Sequence, residues 1–154
     1  MRLWIENYVE GTEELKDCDQ KTEIYFYNCK NCGFAIPEKV KAVIADNCTK
    51  LQAEISEVVS SVEMINSRGC TFYLKKTIPT VNIDKCSNPK LVLFKELIQK
   101  KPEIVTSMTS DMNIQFPGKN ENDDWKEVPI PYQYKTTVDP DTLKVTTEAV
   151  AHMG

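Results

Sequence analysis

Apolar residues in this chain repeat on two scales. Over a few residues they alternate with others, as in Phe34-Ala35-Ile36 and Phe72-Tyr73-Leu74. That is the period of a strand with one buried face. Over longer stretches the strand pattern itself recurs every 19 residues. Ile24, Val43, Val62 and Val81 keep this step, as do Phe26, Ala45, Met64 and Ile83. So do Phe34, Ala53, Phe72 and Leu91, then Ile36, Ile55, Leu74 and Leu93, then Val40, Val59, Ile78 and Leu97. Asn28, Asn47 and Asn66 share the step, with Lys85 one period on.

A unit of three short strands and turns, repeated in register, describes one coil of a parallel β-helix. Stacked coils bring equivalent residues about 4.8 Å apart and complete a core that no single coil can bury. The pattern predicts an all-β fold of about six coils over residues 3–117, including a leading coil from Leu3 to Lys21. A further coil is expected to carry two extra residues, with Met112 and Ile114 matching Leu91 and Leu93 and the insertion at Lys100-Lys101-Pro102. Residues 118–124 read as a polar loop. Residues 125–154 leave the repeat: Val128-Pro129-Ile130-Pro131 is extended, and Leu143 to Glu148 reads as a strand pairing with Tyr132 to Val138. The whole chain is expected to be one domain. An open β-helix exposes strand edges, and a terminal strand covering such an edge, from its own chain or a second copy, is a physical remedy.

Charge narrows the partners. The formal net charge is -4 and the pI about 5.1, which argues against nucleic acid. No apolar run approaches the roughly 18 residues of a membrane span, and the charged start does not read as a signal peptide. A cytoplasmic protein with reduced thiols is expected.

The repeat also absorbs most candidate chemistry. Cys29-x-x-Cys32 suggests zinc or a redox pair, but a structural zinc site needs four ligands and the only histidine is His152. Instead Cys29, Cys48 and Cys86 share a column with Ser67, and Cys32 and Cys70 share one with Leu51, as small core-type residues do. The asparagines suit a sharp left-handed corner, or an amide ladder. Asp46, Asp84, Glu63 and Asn82 point outward by parity, as do Tyr25, Tyr27, Ile44 and Ile65, an apolar face of the kind that marks a protein contact. No nucleophile elbow or phosphate-binding loop is present. No catalytic residue, cofactor or metal site is expected.

With the coils laid out, several segments resemble the C-terminal domain of cyclase-associated proteins, the actin-monomer regulators. They are Trp4 to Asn7, Val40 to Leu51, Val62 to Ser67, Ile78 to Lys85, Ser107 to Pro117 and, most specifically, Glu127 to Thr136. The resemblance implies a right-handed β-helix that dimerises by exchanging C-terminal strands. It implies binding to monomeric ADP-actin, promotion of ADP-to-ATP exchange, and a cytoskeletal location. The matching residues toward actin are Lys144, Thr146, Thr147, Glu148, Ala149 and Val150; those toward a second copy are Val128, Ile130, Tyr132, Tyr134, Leu143 and Val145. Adenylyl cyclase binding is not implied, because the resemblance covers the β-helix domain alone. Two features depart from the family pattern: Val138-Asp139-Pro140-Asp141 replaces a shorter glycine-containing turn, and the ending 149–154 differs.

Two rival readings carry a different function. A tubulin-cofactor-C-like β-helix would activate a GTPase through an arginine, yet the chain has only Arg2 and Arg68, neither at the outward positions before the corners. A carbohydrate-cleaving β-helix would need a longer groove lined with acids.

Overall fold

In a computed structural model, which describes residues 1–150, the repeat winds into stacked coils. In chain order the strands are β1 (Arg2–Glu6), β2 (Val9–Glu14), β3 (Glu23–Tyr27), β4 (Lys30–Val40), β5 (Ala42–Asp46), β6 (Thr49–Val58), β7 (Ser61–Ile65), β8 (Thr71–Thr77), β9 (Thr80–Asp84) and β10 (Lys90–Leu93). A short helix α1 (Lys95–Gln99) follows, then β11 (Glu103–Ser107), β12 (Asn113–Phe116), β13 (Lys126–Pro129), β14 (Gln133–Val138) and β15 (Val145–Val150). One parallel sheet runs β1-β3-β5-β7-β9-β11. The other runs β2-β4-β6-β8-β10-β12, and β13 closes its end antiparallel to β12. Six rungs in each sheet make the roughly six coils that the repeat predicts. The tail 151–154, with His152, lies outside the described residues.

The inward columns pair as their spacing requires. Ile24 stands beside Val43, and Val43 beside Val62; Ala53 stands between Phe34 and Phe72. Nearly all are fully buried. Each large side chain withdrawn from water contributes about 1.5–3 kcal/mol, so the stacked columns are the main source of stability.

Three expectations need correction. A coil has two named strands, not three, because β4 and β6 run through the second corner as bent strands with register shifts after Ile36 and Ile55. These bulges are offset by one residue from coil to coil, so Val40 pairs with Val58. Val58 is buried and Val59 is 47% exposed, which removes Val59 from the expected column. The late insertion is four residues rather than two: Leu91 pairs with Ile114, a step of 23. The extra length falls between Leu93 and Glu103 and forms α1, where Leu97 alone turns into the core. Four residues are about one helical turn, which is how a β-coil absorbs them without losing register. The leading coil has a step of 21, with Arg2 opposite Glu23 and Gly11 opposite Cys32.

The corner between the sheets explains the asparagines. Asn7, Asn28, Asn47, Asn66, Lys85 and Met108 form one column with φ between 48 and 59 degrees. A second left-handed column follows three residues later: Glu10, Asn31, Lys50, Gly69, Asn88 and Asp111. Left-handed backbone costs most L-residues roughly 1–2 kcal/mol and asparagine less. Of the expected amide ladder only one link forms, Asn28 Nδ2 donating to Asn7 Oδ1 at 2.7 Å. Backbone geometry, not amide stacking, selects the asparagines.

Between the two columns sit Cys29, Cys48, Ser67, Cys86 and Thr109, each donating to the carbonyl two residues back. All except Ser67 also donate to a carbonyl of the preceding coil, as Cys48 does to Phe26 and Cys86 to Met64. A thiol or hydroxyl here ties adjacent coils together, which accounts for the mixture of Cys, Ser and Thr. All six cysteines are free. Burial pushes the Cys48 thiol up to about 12 and those of Cys32 and Cys70 to about 11. Such thiols stay protonated and unreactive at neutral pH.

Candidate functional site

Outside the core, two places hold side chains arranged for contact. The first is the outer face of the first sheet at its N-terminal end. Arg2 lies over the rings of Trp4 and Tyr25, at 5.3 and 5.2 Å from their centres, and its Nε donates to Glu23 at 2.6 Å. The Tyr25 hydroxyl donates to Asp46 at 2.8 Å, and that bond, with burial, pushes the phenol up to about 12. The apolar outward face expected from sequence is therefore smaller than its residue types suggest. Ile44 is only 6% exposed, and Tyr25 and Ile65 are half-buried. Tyr27 stays exposed. The Arg2–Glu23 bridge was invisible to parity because both partners lie on one ladder rung across a 21-residue step.

The second place is the hairpin of β14 and β15. Its strands pair with one another from Gln133 opposite Val150 to Val138 opposite Val145, and with no other strand among the described residues. Every residue of both strands is exposed. Alternation gives the hairpin two faces. Tyr134, Thr136, Val138, Val145, Thr147 and Ala149 share one; Gln133, Lys135, Thr137, Thr146, Glu148 and Val150 share the other. The first is mainly apolar, with Tyr134 66% and Val145 61% exposed, and the Thr136 and Thr147 hydroxyls lie 3.0 Å apart. The second puts Lys135 directly opposite Glu148.

The turn between β14 and β15 is held tightly. Asp139 Oδ1 accepts from the backbone N–H groups of Asp141 and Thr142 at 2.8 and 3.0 Å, which lowers its carboxyl pKa. Leu143 takes the left-handed conformation at φ 61 degrees and stands 72% exposed. The turn is thus made without glycine.

The sequence-derived residues do not form one surface. Thr147 and Ala149 stand beside Tyr134 and Val145, whereas Thr146, Glu148 and Val150 face the other way and Lys144 lies at the turn. Val128 is on β13, and Ile130 is packed against the core with its N–H donating to Met112 O at 2.8 Å. Tyr132 and Tyr134 line a cleft of about 140 Å³ with Pro131 and Thr106–Thr109, so the hairpin's base lies beside the end of β11. On its far side β11 has no strand neighbour among the described residues. No group of potential metal ligands occurs among the described residues, nor any helix long and apolar enough to cross a membrane.

Known proteins share this architecture and sequence. The family model described as "Adenylate cyclase associated (CAP) C terminal" matches residues 1–152. The adenylyl cyclase-associated protein of Dictyostelium discoideum is 34% identical over 152 residues, covering 97% of this chain and 32% of that protein. Cyclase-associated protein 1 of Arabidopsis thaliana is 31% identical over 156 residues, covering 99% and 32%. The chain thus spans about a third of the length of these relatives. The crystal structure of the cyclase-associated protein from Cryptosporidium parvum superposes with a TM-score of 0.84 at 26% identity, covering 97% of this chain and 90% of that one. The chain belongs to the family of C-terminal domains of adenylyl cyclase-associated proteins.

Proposed function

We propose that this domain binds monomeric ADP-actin and promotes exchange of ADP for ATP, working as a dimer built by exchange of the β14–β15 hairpin. Family membership supports the actin role. The observation that carries the dimer is the hairpin itself, since an isolated two-stranded hairpin is marginal in water. Its apolar face, with Tyr134 and Val145, seeks cover, and the unpaired edge of β11 offers a place to receive a strand. In this reading Val128, Ile130, Tyr132, Tyr134, Leu143 and Val145 serve the contact between copies. Lys144, Thr146, Thr147, Glu148, Ala149 and Val150 serve actin, with Thr146, Glu148 and Val150 on the face that the apolar contact leaves open. Such a protein works among the actin cytoskeleton.

Exchange of this kind needs no reacting side chain. A protein that binds the open, nucleotide-poor state of actin more tightly shifts actin toward it. A coupling of roughly 1–3 kcal/mol changes affinity about 5- to 150-fold, and it acts reciprocally on nucleotide and protein. The test is release of a fluorescent ADP analogue from monomeric actin. The expected result is acceleration that saturates with the domain and is lost when residues 146–154 are deleted. No binding and no acceleration at micromolar protein would refute the reading.

A further inference from the structure

We propose that the corner between the two sheets is a docking site for an acidic, extended polypeptide segment. Lys30, Thr49, Arg68 and Ser87 stand in one ladder across this corner. Lys50 and Lys85 belong to the two left-handed columns that flank it. Four successive coils thus each place one cation on the same edge: Lys30, Lys50, Arg68 and Lys85. All four are exposed, and none has an ion pair or side-chain hydrogen bond among the described residues. In a chain of net charge -4, an uncompensated row of one sign marks a place where a local field attracts the opposite charge.

The middle of the row is concave. Asn47, Asn66, Arg68, Lys85 and Ser87 line a surface depression of about 350 Å³, to which no carboxylate contributes. The Ser67 hydroxyl beneath is committed to the Ile65 carbonyl at 2.8 Å. What faces outward is therefore a guanidinium, an ammonium, two amides and a hydroxyl. That donor set suits a carboxylate, with the arginine fork able to take both oxygens.

Spacing selects an extended chain. From the first to the fourth coil are three steps, about 14 Å at roughly 4.8 Å each, and residues i, i+2 and i+4 of an extended peptide cover a similar length. Carboxylates at every second position recur about every 6.8 Å against roughly 4.8 Å per coil, so three of them span the row of four cations without pairing one to one. The bordering acids define its limits. Glu10 and Asp111 end the Lys50 column, while Asp46, held by Tyr25, and Asp84 flank it on the first sheet. A broad anionic surface such as a bilayer would press on these carboxylates; a single narrow chain avoids them.

The test uses the full chain and no actin, so it stands apart from the exchange reading. The probe is a fluorescein-labelled seven-residue peptide with glutamates at alternate positions, followed by anisotropy at low salt. Saturable binding is expected, weakening as salt rises. R68E/K85E should weaken it by at least about tenfold, equivalent to about 1.4 kcal/mol. K39E/K41E, on the corner between β4 and β5, should stay within about twofold, as exposed charges outside a site do. If the reversal variant misfolds, judged by its circular dichroism melt, R68Q/K85Q must still weaken binding. Absence of binding, equal binding by the corner variants, or tighter binding to phosphatidylserine vesicles or an oligonucleotide than to the peptide would overturn the proposal.

Discussion

The coils around β4 to β8 and the hairpin β14–β15 are written in the same alphabet of alternating β-branched, aromatic and polar residues. In the coils, Phe72 sits between Ala53 and Leu91 and has no exposed surface. In the hairpin, Tyr134 and Val145 have no third strand and stand largely in water. Alternation alone therefore does not make a buried strand. The neighbour does, and the repeat supplies one at every step while the hairpin must find its own. This is why the coils cover their own apolar columns while the hairpin leaves Tyr134 and Val145 to be covered by something else.

The contrast can be broken most severely at the hairpin. Ending the chain after Pro131 should abolish dimer formation and actin nucleotide exchange, yet leave the cooperative melt of the coils within a few degrees. Sedimentation and a thermal melt check both halves; collapse of the melt would mean that the body depends on the hairpin. Within the body, Phe72→Ala should cost about 3–5 kcal/mol in urea denaturation, the range for a buried aromatic replaced by a void. Tyr134→Ser in the hairpin should leave that unfolding curve within about 0.5 kcal/mol, as exposed substitutions do, and weaken self-association instead.

Smaller effects sharpen the account of the corner. Asn47→Ala should cost about 1–2 kcal/mol because alanine resists the left-handed conformation, whereas Asn47→Gly should cost less. A large loss with glycine would show that the amide, not the backbone, matters. The smallest effect concerns pH. The Tyr25 phenol is held above its ordinary value by Asp46. Its contribution to stability is therefore complete below about pH 10 and is lost as pH rises toward 12. Tyr25→Phe should therefore lower stability at pH 7, where that contribution is complete, and flatten the pH dependence over that window.

Much of this was legible because the repeat is strict. The step of 19 placed Phe26, Val43 and Leu74 correctly, and it identified Cys48 and Cys70 as core residues. It failed where geometry departs from counting. Two compensating bulges moved Val58 inward and Val59 outward, and parity cannot see a bulge. Helix α1 is too short to show a period of 3.6 residues, so its extra turn looked like a loop. The second left-handed column escaped notice because Glu10, Asn31, Lys50, Gly69, Asn88 and Asp111 share a backbone conformation but no side-chain type. The hairpin pairing was readable from two strand-like stretches, Tyr132 to Val138 and Leu143 to Glu148. The division of its residues between two faces was not, because it depends on which residue stands opposite which.

Amide hydrogen exchange as a function of protein concentration tests the central contrast directly. The coils should be protected at every concentration. Residues 133–150 should exchange freely in dilute protein and become protected only as the dimer forms. Protection of the hairpin in the monomer, or its failure to gain protection in the dimer, would contradict the account.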